Sequence, residues 1–279
     1  VVEPLFYHGA AGPVRLSRDL SRPAAYMLRI DGTDQSHVDL DDPRRLEFDY
    51  VQRIAAGLDL AAPAGERLAT IHVGGALMTL PRYLAATRPR SAQVVLEPDE
   101  ELTAFVRTHL PLPQRSGIKV RPVGGREGIA QFRDDWADAV VLDAFSGSRV
   151  PAELTTVEFF TDVDRVLRAG GTFLINITDR GPFGYARRAV AALRAVFPQV
   201  IFSAEPSTMK GRRFGNVVLE ASRAPLPVDQ LARQAGAAPF PYRVVAGAAL
   251  DTLIGGAAPF TDDDSDTSPT PPARTFGVG

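Results

Sequence analysis

Cysteine is absent from the 279 residues. That removes disulfides, thiolate metal sites and cysteine nucleophiles together, and it fits an expected cytoplasmic location. Lysine is almost absent as well, standing only at positions 119 and 210, with arginine supplying the remaining positive charge. The codon bias of a GC-rich genome accounts for that, and no function is attached to it. The histidines, His8, His37, His72 and His109, show no metal-ligand spacing, so no metal site is expected. No apolar run approaches the ~20 residues of a spanning helix, which predicts a soluble chain without a membrane partner. A formal net charge of −2 leaves no basic footprint for nucleic acid. The chain shows no initiator Met and no signal-peptide pattern, so its first residues read as trimmed.

What is present divides into three stretches. Residues 1–45 carry short strand-like pieces at Val14–Leu16, Ala25–Ile30 and Ser36–Val38, broken by Arg22-Pro23 and by the turn signal Asp31-Gly32. They predict a small N-terminal β-hairpin module. Pro43 then reads as the opening of a helix in which Leu46, Tyr50, Val51, Ile54 and Leu58 recur at helical spacing. From residue 68 strands alternate with helices. Strands are predicted at Leu68–Val73, Gln93–Glu97, Ile118–Pro122, Ala137–Leu142 and Thr172–Asn176, with helices near 79–87, 99–109, 126–133 and 155–167. Val-, Ile- and Leu-rich strands, each followed by an amphipathic segment, indicate βαβ units and a doubly wound, mostly parallel sheet. Val163–Gly171 reads as a helix stop with glycine past the last turn. A further helix at 183–195 leads to Val200–Ala204 and Gly215–Ala221, which should pair antiparallel at the sheet edge. Residues 225–256 read as two short helices around Tyr242–Val245. The α/β domain is thus expected over 46–260, and the acidic, Ser/Thr/Pro-rich residues 261–279 as a disordered tail.

Candidate site residues lie where the predicted strands end. The turn His72-Val73-Gly74-Gly75-Ala76 follows the first strand of the sheet and lets a ligand approach the backbone closely, though glycine pairs of this kind also serve packing alone. Glu97 ends the second strand, about 22 residues further on, and an acid there can accept both hydroxyls of a ribose. Asp99 suits the cap of the next helix better than ligand binding. Asp143 ends the fourth strand and opens the loop to Pro151. It can hold an amine, orient a ligand or bond loop amides. Phe145 can pack over a purine or close the core. Gln35, His37 and Tyr50 could reach over the ligand face, and His72 reads as a satisfied core histidine. Gly211–Asn216 reads as a turn between edge strands or a site for an acidic partner.

At these residues the chain resembles the spermidine synthase family (aminopropyltransferases), which join a Rossmann-like class I methyltransferase-type fold to an N-terminal β-hairpin domain. The resemblance runs from about residue 25 to 221. It rests on Ile30–Gln35, Gly74-Gly75, Glu97, Asp143–Pro151 and Leu167–Gly171. More narrowly, Ala76–Tyr83 and Asp143–Gly147 are similar to motifs of divergent actinobacterial spermidine synthase-like proteins. The resemblance implies a homodimer, polyamine biosynthesis and a small-molecule nucleoside ligand: S-adenosylmethionine, its decarboxylated form or methylthioadenosine. It makes Gln35 the hairpin glutamine, Glu97 the ribose acid and Asp143 the first aspartate of the catalytic loop. Three acids of the family are missing, with Ala76, Gly125 and Ser146 in their places, and the first helix carries Phe48-Asp49-Tyr50 instead of Tyr-His-Glu. An amine acceptor is protonated at neutral pH, so its use requires binding carboxylates and a base, and a serine hydroxyl is neither. The expected function is therefore a transferase-fold protein that binds an S-adenosyl-type nucleoside and is not an efficient aminopropyltransferase. Methyl transfer to an unknown acceptor is its expected reaction. The alternatives are a genuine spermidine synthase that draws substrate-binding acids from elsewhere, such as Asp49 or Asp179, and a non-catalytic interaction protein.

Overall fold

A computed structural model describes residues 3–9 and 12–272. The N-terminal segment forms β1 (Leu5–Gly9), β2 (Gly12–Arg18), β3 (Ala25–Ile30) and β4 (Thr33–Asp39), an antiparallel sheet in sequential order. The expected hairpin module is therefore a four-stranded sheet. β1 carries no alternating apolar signal because Leu5 and Phe6 are both exposed on it. On the buried face, Val14, Leu16, Leu28 and Val38 pack with residues beyond position 76, among them Leu102, Val106 and Leu110, so the small sheet shares a core with the α/β region.

The rest of the chain runs α1 (Asp49–Leu60), β5 (Ala69–Val73), α2 (Thr79–Thr87), β6 (Ala92–Leu96), α3 (Glu100–His109), β7 (Ile118–Arg121), α4 (Gly125–Ala130) and β8 (Ala137–Leu142). It continues through α5 (Val157–Val166), β9 (Leu167–Asp179), α6 (Gly184–Val196), β10 (Gln199–Ala204), α7 (Pro206–Met209), β11 (Gly215–Ser222), α8 (Val228–Ala237), β12 (Arg243–Ala246) and α9 (Gly247–Ile254). The strands form one sheet in the order β12-β10-β11-β9-β8-β5-β6-β7. β5 to β9 run parallel, and β10, β11 and β12 pair antiparallel with their neighbours. The fold is thus α/β with a mostly parallel central sheet.

Four expectations need correction. The helix predicted from Pro43 starts at Asp49, because Asp39 accepts the amides of Asp41 and Asp42 and holds the chain in a turn. No separate turn follows α5: Leu167 pairs with Ala137 and already begins β9. The antiparallel pair β10–β11 is not the edge, since β12 adds outside β10. Residues 261–272 are not a free tail but pack back on the domain, with Ser268 fully buried. The remainder of that expected tail, 273–279, lies outside the described residues.

Local chemistry accounts for the helices. Asp99 accepts the Leu102 amide to cap α3, and Thr156 accepts the Phe159 amide to cap α5. α1 buries Val51, Ile54, Ala55 and Leu58 on one face, packed with Leu174 of β9 and Val218 of β11. Its C-terminal end is tied down by Arg88, 1% exposed, whose guanidinium donates to the carbonyls of Leu58, Asp59, Ala62, Pro63 and Glu66. Carbonyls at a helix end lack intrahelical donors, and this guanidinium supplies several at once.

Glu220 of β11 is 5% exposed and has no ion-pair partner among the described residues. Burial pushes its carboxyl up from 4.5 to about 8. The unfolded chain releases this proton near pH 4.5 and the folded chain holds it to about pH 8. Stability therefore falls as pH rises through that window, with a slope approaching about 1.4 kcal/mol per pH unit. Glu220→Gln is expected to remove this slope, so urea unfolding at pH 5 and pH 8 should show the variant gaining on the parent by a few kcal/mol at the higher pH. Equal pH slopes for the two proteins would refute the assignment.

Candidate active site

The strand order reverses between β5 and β8, and open α/β sheets bind ligands at such a point. Gly74 and Asp143 are the first residues past these two strands. Gly74 has φ +98°, and a Cβ built on it would lie 2.2 Å from the Asp143 carbonyl oxygen, so no other residue fits. The Gly74 amide donates to Leu96 O and the Asp143 amide to Val73 O, which carries the ladder one residue beyond the strands.

A cavity of about 460 Å³ opens over these tips. Its floor follows the strand order: Glu97 after β6, Gly74 and Gly75 after β5, Asp143 after β8, Asn176 and Thr178 in β9, and Asn216 in β11. Asn216 reaches this edge because it pairs with Thr178 across the antiparallel ladder. At a strand spacing of about 4.8 Å, the floor from β6 to β11 is about 19 Å long. Gln35 of β4 borders the cavity from above. The overhang is docked by Thr79, whose hydroxyl donates to His37 O and accepts from Ser36 Oγ at 2.9 Å.

Glu97 is buried and holds two amides, Gly75 N–H on Oε2 at 2.9 Å and Asp99 N–H on Oε1 at 3.0 Å. Burial raises its pKa, and those amides, with that of Ala76, oppose the rise. Three amides thus converge on the carboxylate, which borders the cavity at its β6 end. Asp143 accepts Asn176 Nδ2 at 2.9 Å and the Tyr50 hydroxyl. Burial outweighs these two bonds and pushes its pKa from 3.8 to about 6. The Tyr50 hydroxyl is pushed well above its usual range, by burial and then by the Asp143 charge. Asn176 is 1% exposed, and its Oδ1 has no hydrogen-bond partner.

The structure thus brings Gln35, Tyr50, Gly74, Gly75, Glu97, Asp143 and Phe145 around one cavity. Asp179 is not among its lining residues. Its carboxylate accepts the amides of Arg180 and Ala186 and so closes the turn into α6, which withdraws it from substrate binding. His72 bonds Gln93 through Nε2 at 3.0 Å but leaves its buried Nδ1 without a partner among the described residues, so it is not the satisfied core histidine expected; burial pushes it down to about 4. Gln93 commits its amide nitrogen to Pro81 O, so its oxygen accepts and His72 is the Nε2–H tautomer. The acids missing from the family pattern stay missing. A Cβ on Gly125 would meet Val73 at 2.3 Å and Leu154 at 3.2 Å, so the space for a side chain there is already filled. Ser146 is exposed in a turn closed by Ser146 N to Arg149 O at 2.9 Å. Among the described residues no cluster of three His, Asp or Glu could hold a metal.

Asn176, Thr178 and Asn216 are site residues that motif reasoning passes over. The available signal is register: Leu142 pairs with Ile175, which places Asn176 beside Asp143. The second unforeseen component is the C-terminal strap. Val150 N donates to Ser268 Oγ at 2.8 Å, Arg149 Nε donates to Ser268 O at 2.7 Å, and Ser268 N returns to Val150 O. Arg126 chelates Asp262, Arg188 pairs with Asp264, and Phe260 is buried against Tyr185. The chain's own end therefore pins the loop that follows Asp143.

Known proteins share this architecture in part or nearly throughout. No family profile matches the chain. A polyamine aminopropyltransferase of Chromobacterium violaceum is 29% identical over 145 residues, 52% of this chain and 54% of that protein. The chain thus spans about half the length of the curated relatives it matches. The crystal structure of a "probable spermidine synthase" from Corynebacterium glutamicum superposes with a TM-score of 0.87 at 28% identity, over 94% of this chain and 97% of that one. Human methyltransferase-like protein 13, solved in complex with SAH, superposes with a TM-score of 0.55 at 20% identity, over 77% and 96%, a likeness of fold.

Two outcomes are expected. Gly74→Ala must move the Asp143 carbonyl and adopt an unfavourable φ, so urea unfolding should show a loss of about 3 kcal/mol. Ser268→Ala removes the acceptor of the buried Val150 amide, so hydrogen exchange there should accelerate about tenfold while β9 amides hold. An unchanged Val150 rate would show that the strap does not order the loop.

Proposed function

Because the chain is spermidine synthase-like in sequence and carries a methyltransferase-type fold, we propose that it binds an S-adenosyl-type sulfonium nucleoside and transfers a carbon group from it without being an efficient aminopropyltransferase. One observation carries this reading: a single cavity floor presents Glu97, the Gly74-Gly75 turn and the Asp143–Tyr50–Asn176 cluster in strand order. The Glu97 carboxylate borders the cavity where it can accept from a ribose hydroxyl, and the glycine turn lets the nucleoside lie on the backbone. Bound there, a sulfonium nucleoside supplies an electrophilic carbon and a neutral thioether leaving group. SAH in the human methyltransferase-like neighbour supports the ligand class.

The chain's own residues supply orientation and one proton acceptor. Asp143, with its pKa near 6, is ionised at neutral pH and can take a proton from an acceptor held beside it. Tyr50 and Asn176 fix its direction by donating to it. Ser146 cannot act as a second base, and Gly125 and Ala76 bind no amine. Methyl transfer, which asks mainly for orientation, suits such a site. A different observation favours the decarboxylated donor: no Arg or Lys lies among the described lining residues to meet a methionine carboxylate, whereas Asp34, Glu97, Asp99, Asp143 and Glu153 all border the cavity. A non-catalytic role is disfavoured by the open cavity itself.

Calorimetric titration with S-adenosylmethionine, its decarboxylated form and methylthioadenosine tests the reading. At least one should bind, and Glu97→Gln should weaken it at least tenfold, the cost of about 1.5–3 kcal/mol for hydrogen bonds to a charged group. Failure of all three to bind at millimolar concentration overturns it. In turnover, kcat/KM should rise with pH through about 6 as Asp143 ionises, and Asp143→Asn should abolish that limb.

A further inference from the structure

Asp143 divides the cavity floor chemically. On the β6 side lie the groups already assigned to the nucleoside. On the other side the floor continues over Asn176 and Thr178 to Asn216, about two strand spacings or ~10 Å further. Every group on that stretch is polar and neutral. The nearby acids are committed elsewhere: Asp179 to the amides of Arg180 and Ala186, Asp49 to Arg53 at 3.1 Å, and Glu205 to Arg213 at 3.8 Å. None of these three lines the cavity. Asn176 must give its Nδ2 to the Asp143 carboxylate, which leaves its buried Oδ1 as an acceptor with no donor. Thr178 is buried to 2% on the same strand, its hydroxyl 3.4 Å from Ser268 Oγ.

One carboxylate at the dividing point can receive one ammonium group. A diamine held there would carry its second ammonium onto Asn176, Thr178 and Asn216, where nothing offsets the loss of water around the charge. A molecule with a single amine and a neutral, hydrogen-bonding remainder meets no such cost. We infer that the acceptor is a primary monoamine with an uncharged remainder, selected by Asn176, Thr178 and Asn216 in place of the acids a diamine would need. This rests on the proposed sulfonium donor. In the step, the acceptor nitrogen forms a bond to the transferred carbon, the carbon–sulfur bond breaks with its pair left on sulfur, and the proton lost by nitrogen passes to Asp143.

The test uses three amines of equal chain length: n-butylamine, 4-amino-1-butanol and putrescine. Each is incubated with the full chain and whichever donor binds by calorimetry, and the release of the nucleoside thioether is followed. Both monoamines should exceed putrescine at least tenfold in kcat/KM. Asn216→Asp, which adds a carboxylate to the far end of the floor, should shift the ratio toward putrescine at least tenfold. Thr178→Asp serves as the second variant should the first not fold. Putrescine equal to or better than the monoamines overturns the inference, as does a bound donor with which no monoamine reacts. Neither result touches the donor reading. Absence of donor binding overturns that reading, and the acceptor assignment falls with it.

Discussion

The near-contact between Gly74 and the Asp143 carbonyl is the constraint on which the rest of the site depends. β5 and β8 run parallel in register up to Val73 and Leu142. The ladder extends one residue further through Asp143 N–H to Val73 O, which orients the carboxylate over the strand tips. A side chain at 74 would stand where the carbonyl is. That closeness brings Glu97, held by the Gly75 amide, and Asp143 to the same floor, two strands apart.

Around this point backbone groups meet much of the buried charge. Glu97 is held by amides, Arg88 by five carbonyls, and Arg82 by the carbonyls of Leu77, Leu110 and Pro111. Arg88 and the Arg82 bonds to Leu110 and Pro111 join segments more than 20 residues apart, so the loops they reach are fixed by charge-assisted hydrogen bonds. The strap applies the same logic from the far end of the chain. Through Ser268 it gives the Asp143–Pro151 loop a second anchor beyond the strand that delivers it.

Legibility in the sequence followed the range of the interaction involved. β8 spans the predicted Ala137–Leu142 and α2 the predicted 79–87, because both are local patterns of burial. Asp99 was legible as a cap for the same reason. Glu97 and the glycine turn were legible as a pair because their relation is one βαβ unit. Asp179 was misplaced because sequence shows that it ends a strand and does not show that the next helix takes its carboxylate. The strap was invisible because composition reports solubility, whereas Phe260 and Ser268 are held by partners over 70 residues away.

By itself the sequence determined the alternation of strands and helices from residue 68 to 204, the α/β class with a mostly parallel sheet and the acids available at the strand ends. It also determined which acids are absent, since Ala76, Gly125 and Ser146 are read directly. The tertiary structure alone decided which polar residues share a floor, because strand order and register set that and neither is local. It placed Asn216 beside Thr178 across an antiparallel ladder and Asn176 against Asp143 across a parallel one. It also filled the space at Gly125 with Val73 and Leu154, which makes that loss part of the packing. The identity of the end-of-strand residues is written in the chain, but their meeting is a property of the sheet.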